Sequence, residues 1–140
     1  GTIPLSIPVV KANKPGQPIC ETRISDHGNW RHLHWRALQS AYGNSPFFEY
    51  YEDDFRRFYQ PDWEFLTDYN RDLMTLVCEL LDITPQINNT EKFQAVPSMD
   101  FQGVAPRPYY QVFSARHGFI PDLSIVDLLF NMGPESVLYL

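Results

Sequence analysis

Apolar and polar positions along this chain change period several times, and each change marks an element. Residues 30–42 repeat at the helical period: Trp30, Leu33, Ala37, Leu38 and Ala41 share one arc when each residue advances about 100°, with His32, Arg36 and Gln39 opposite. His34 falls within the apolar arc. Asn29 is placed to cap this helix and Gly43-Asn44 to end it. Ser45 followed by Pro46 announces a second helix, because proline's fixed φ and missing N–H cost nothing at a first helical position. Its inward face is Phe47, Phe48, Tyr51, Phe55 and Phe58, with Asp54 at the edge and Glu52–Arg56 and Asp53–Arg57 spaced as i,i+4 pairs outside. A third helix is predicted over 62–81, its stripe running through Leu66, Tyr69, Leu73, Leu76, Val77 and Leu80. Asn70 stands in the middle of that stripe, where an amide needs specific partners.

The flanks follow other rules. Residues 3–10 are apolar and β-branched but include Pro4 and Pro8, which cannot donate a ladder hydrogen bond, so an edge strand is expected. After a Pro- and Gly-containing loop at 11–18, the alternation over 19–25 supplies its hairpin partner. Residues 84–107, containing Asn88-Asn89-Thr90, several prolines and Gly103, read as a long surface loop, and 109–113 (YYQVF) as a short buried strand enclosing Gln111. The Arg116-His117-Gly118 turn leads to a C-terminal helix in which Ile125, Val126, Leu129 and Phe130 pack inward. Ser124, Asp127 and Asn131 form one polar stripe on it, Ser124 and Asp127 are spaced as a capping box, and Gly133 stops the helix. A last strand is expected at 137–140. The predicted fold is therefore α+β: a small, mostly antiparallel sheet packed with three longer helices and one short C-terminal helix, in a single domain over 1–140.

Composition narrows the functional classes. A chain of 140 residues can bury a core without disulfides or a structural metal, and Cys20 and Cys78, far apart, read as reduced and buried. The formal charge of −6 and a lysine set of only Lys11, Lys14 and Lys92 leave no basic run for a phosphate backbone, so nucleic acid is not an expected partner. No apolar run is long enough for a membrane span and no signal-peptide pattern opens the chain, which points to the cytoplasm. Aromatics at 15% imply a ring-built core or a ring-lined pocket.

No phosphate loop, nucleophile elbow, zincin motif or dinucleotide fingerprint is present, and no cofactor is implied. His32 and His34 diverge by about 200° on a helix, so they do not make a metal pair. Candidate catalytic residues are His34 and Asp127; candidate substrate-binding residues are Asn70, Arg116, His117 and Asn131. An imidazole on an apolar face has a tunable pKa and suits acid–base work, or is a core histidine satisfied by a carbonyl. Asp127 is a base or ligand anchor, or else a capping-box residue. Arg116 and His117 suit an anionic ligand, or are an exposed turn. Three helices each set one polar side chain (His34, Asp54, Asn70) on or beside an apolar face, and convergence of those faces would create a polar network or line a pocket.

Three separated motifs, LSIPV at 5–9, ISDHGNWRHLHWRALQSAYGNSPFFEYY at 24–51 and LSIVDLLFNMG at 123–133, resemble the WbqC-like family of bacterial proteins. The FFEYY and RHGF wording is most similar to Bacteroides-type members. The chain departs from the family by starting at Gly1-Thr2, without the family's N-terminal Pro- and Tyr-containing motif or its later Asn/Arg segment, and by a shorter region between Asn88 and Tyr109. It therefore reads as a member lacking the N-terminal segment. The resemblance implies a setting in O-antigen and other surface-polysaccharide biosynthesis. The expected function is that of a transferase-like enzyme acting on a nucleotide-activated or lipid-linked amino sugar; the sequence leaves a homo-oligomer open. The alternative is a non-catalytic binding or assembly protein with an aromatic-rich surface and no enclosed polar pocket.

Overall fold

A computed structural model describes residues 2–12, 14–90, 92 and 107–140, so most of the loop expected at 84–107 lies outside the described residues. The architecture is mostly helical: α1 (Trp30–Tyr42), α2 (Phe48–Arg56), α3 (Leu66–Leu80), the single turn α4 (Ser114–His117) and α5 (Ile125–Met132). Short 3-10 segments at Ile19–Glu21, His27–Asn29, Arg57–Tyr59 and Gly133–Tyr139 join or extend them. No helix among the described residues is long and apolar enough to cross a membrane.

The expected sheet is absent from the described residues, which corrects the α+β assignment to a mostly helical one. Only isolated antiparallel bridges form, Val9 with Ile24 and Arg23 with Phe65. The reasons are local. Pro4 and Pro8 supply no N–H, and what pairing remains is Val10 N–H to Arg23 O at 2.9 Å and Ser25 N–H to Pro8 O at 2.9 Å. Residues 19–21 close a 3-10 turn after Pro18 instead of extending. At 109–113 the backbone finds side-chain partners in place of a ladder, and 137–140 largely continue the 3-10 segment.

The helices are drawn from the predicted stretches, with shifted details. α1 has the expected bounds, but its buried residues are Trp30, His34, Trp35 and Leu38, whereas Leu33 is 59% exposed. The inward arc is thus rotated toward Trp35. α2 begins at Phe48, and neither Ser45 nor Pro46 starts it: the Ser45 hydroxyl is buried without a partner. The predicted Glu52–Arg56 and Asp53–Arg57 pairs do not form; Arg56 and Arg57 lay their guanidiniums over Trp35 and Phe58, 5.8 and 5.0 Å from the ring centroids. α3 starts late because residues 64–66 are committed to the extended segment beside them, through Ile24 N–H to Glu64 O at 2.8 Å and Leu66 N–H to Thr22 O at 2.9 Å. Cys78 is buried and Cys20 is exposed, both as free thiols.

An aromatic core unites α1, α2, α3 and α5. At its centre Phe130, fully buried, meets the rings of Tyr42, Phe48 and Phe55 at 5.1–5.2 Å. The Phe47 N–H donates to Phe130 O at 3.0 Å and fastens the entrance of α2 to α5. α5 ends at Gly133, whose φ of 57° favours glycine.

Candidate functional site

Where α1, α3 and α5 face the N-terminal segment and residues 111–123, they enclose a cavity of about 600 Å³. That volume suits a small-molecule ligand. The wall is largely apolar, with Leu38, Tyr42, Phe55, Phe58 and Tyr69 from the core side. His34, Asn70, His117 and Asp127 all line it. Four of the six residues singled out from sequence are thus brought to one concave surface. Arg116 and Asp54 are exposed away from the wall, and Asn131 is buried behind it.

Asp127 is 4% exposed and is the centre of a polar network. Its Oδ2 accepts from Tyr109 Oη at 2.7 Å and from Gln111 Nε2 at 3.0 Å. Gln111 is fixed in turn by its amide, which donates to Ile120 O and accepts from Ile120 N–H, both at 2.9 Å. Asn131 Nδ2 donates to Asp127 O at 2.7 Å, and Asn131 Oδ1 accepts from Val112 N–H at 2.9 Å. The capping box is not formed: Ser124 makes no side-chain cap bond, and the Asp127 carboxylate serves residues 109–111 instead. Burial and the neighbouring carboxylate push the phenols of Tyr42 and Tyr109 well above the usual tyrosine range.

His34 is 9% exposed and sits edge-on to Trp30 at 5.1 Å and to Tyr59 at 6.3 Å. Burial lowers its pKa below the ordinary 6.5, opposed by a hydrogen bond to the Ser6 backbone, so the ring is neutral near pH 7. Its neighbours are not those of Asp127. Tyr42, which feels the Asp127 carboxylate, lies eight residues further along α1, or about 12 Å of helix axis. The imidazole and the carboxylate therefore relate to different turns of α1, and no hydrogen bond joins them among the described residues.

Asn70 is exposed toward the cavity, and the cost of burying its amide in the α3 stripe does not arise. Sequence reasoning missed Tyr42, Tyr109 and Gln111 as site residues; the only signal was a glutamine inside an apolar run. No Lys or Arg lines the cavity among the described residues, nor do these residues hold a cluster of three potential metal ligands. A smaller pocket of about 390 Å³, lined by Trp30 and Tyr59, carries Arg31, Arg56 and His32.

A family model described as the WbqC-like protein family matches residues 1–100 and 91–139. The uncharacterized protein Rv1507c of Mycobacterium tuberculosis (strain ATCC 25618 / H37Rv) is 28% identical over 173 residues, covering 97% of this chain and 74% of that protein. No solved structure matches the chain.

Proposed function

The chain belongs to the WbqC-like protein family, and on that footing we propose that it is a transferase-like enzyme of bacterial surface-polysaccharide biosynthesis, acting in the cytoplasm on an activated amino sugar. The observation that carries this reading is one cavity whose wall brings together His34, Asn70, His117 and Asp127. It supports an enzyme over an assembly protein, for which an exposed aromatic face without such a cavity was the expectation.

Acyl transfer suits the arrangement. The sugar's amine attacks the carbonyl carbon of an activated acyl donor: the N–C bond forms, the bond to the leaving group breaks, the amine proton passes to His34, and His34 returns it to the leaving group. A neutral imidazole is the form that accepts the proton. The apolar wall takes the acyl body, while Asn70 and His117 offer polar contacts. Phosphates of the activated sugar stay outside the cavity, which has no Lys or Arg among its described lining residues, and meet Arg116, exposed one residue before His117. Asn131 holds the wall by fixing Val112 and the Asp127 backbone.

The test is incubation of the full chain with a panel of nucleotide-activated amino sugars and acyl donors, read by mass spectrometry for the acylated sugar. His34→Gln is expected to cut turnover by about 10²–10⁴ while a substrate-induced thermal shift remains. Absence of any thermal shift across the panel, together with an unchanged surface polysaccharide in cells carrying His34→Gln, overturns the reading.

A further inference from the structure

We propose that the far end of the cavity selects a primary ammonium, so that its ligand is an elongated apolar chain ending in an amine held by Asp127. This deepens the acyl-transfer reading by naming the terminus of the transferred group, and its test needs no turnover.

The carboxylate is hydrogen-bonded but not neutralised. Tyr109 and Gln111, both uncharged, converge on Oδ2, and no ion pair to Asp127 is found among the described residues. The Tyr42 hydroxyl, also uncharged, is a further hydrogen-bond partner of the carboxylate, Oδ1 takes neither the Tyr109 nor the Gln111 bond, and the residue lines the cavity. A buried negative charge facing an otherwise apolar space is stabilised most by a small cation that brings its own N–H donors. An ammonium has three donors and a compact charge. The same wall carries the aromatic rings of Tyr42, Phe55 and Phe113, and an aromatic face attracts a cation and repels an anion.

The length of the ligand follows from α1. His34 and the Tyr42 end are separated by about 12 Å along the axis, and Ala37, Leu38 and Ala41 floor the interval with small or apolar side chains. An extended chain of about eight carbons and its amine nitrogen reaches about 10 Å, and a hydrogen bond of about 2.8 Å to the carboxylate covers the remainder. Its amine lies at Asp127 and its reactive end at His34.

The experiment is calorimetric titration of the full chain with n-octylamine, n-octanol and octanoate at neutral pH. Octylammonium is expected to bind about tenfold or more tighter than octanol, as a charge-assisted hydrogen bond predicts, with octanoate weakest. Asp127→Asn is expected to bring octylammonium and octanol to within about twofold of each other. Ala41→Phe, which fills the floor and leaves Asp127 intact, is expected to weaken both. Octanoate binding as tightly as octylammonium overturns the proposal, as does an unchanged preference in Asp127→Asn or undiminished binding in Ala41→Phe. Failure of the mass-spectrometric assay with the ammonium preference intact would remove the transfer reading and leave this one standing.

Discussion

The Tyr109 hydroxyl donates to Asp127 Oδ2 at 2.7 Å and ties the extended segment before α4 to the buried face of α5. This bond, with that of Gln111, replaces the strand pairing that 109–113 lacks. Tyr109→Phe removes one donor to a buried carboxylate and is expected to cost about 1.5–3 kcal/mol in urea denaturation. In a double-mutant cycle the loss should shrink when Asp127 is already Asn, and full additivity of the two changes would deny the coupling.

His34 makes stability depend on mild acid. Its folded-state pKa is lowered by burial from 6.5, so below about pH 6.5 the unfolded chain takes up a proton that the folded chain refuses. Stability therefore falls as pH drops from 6.5 through the folded-state value. Urea midpoints measured across this range should decline for the wild type, and the decline should be smaller in His34→Gln.

Four buried or half-buried phenols impose the opposite limit. Burial raises Tyr69 to about 12 and pushes Tyr42, Tyr59 and Tyr109 well up. Above the unfolded value of 10 the unfolded chain releases protons that the folded chain retains, so stability is lost as pH rises through the folded values. Phenolate absorbance from these rings should appear together with the loss of helical circular dichroism; ionisation at pH 10 with the helices intact would contradict it.

Gly133 sets the end of α5 on two grounds. Its φ is 57°, and an added Cβ would lie 2.5 Å from the Phe47 ring. Gly133→Ala combines left-handed strain with overpacking and is expected to cost about 2–4 kcal/mol, measured as a lowered urea midpoint.

Much of this architecture was legible in the residues. The bounds of α1 and the Gly133 stop followed from periodicity and punctuation, and the aromatic face of α2 is buried much as patterned. The sheet was not legible, because β-branched residues at 3–10 signal extension equally whether or not a ladder forms, and Pro4 and Pro8 decide against one. The convergence of His34, Asn70, His117 and Asp127 is a tertiary fact: period alone placed Asn70 in a buried stripe, while the packing of α3 against α1 leaves it at an open wall. Asp127 looked equally like a cap or a site residue, and only its long-range partners Tyr109 and Gln111 decide between them.

The central claim is that one ligand occupies the space between His34 and Asp127. Nuclear magnetic resonance of the full chain during an n-octylamine titration tests it most directly, by following the His34 imidazole, the Gln111 side-chain amide and the Arg31 and Arg56 guanidiniums together. His34 and Gln111 are expected to shift with one common midpoint while both arginines stay still. Shifts confined to Arg31 and Arg56, with His34 and Gln111 unmoved, would contradict it.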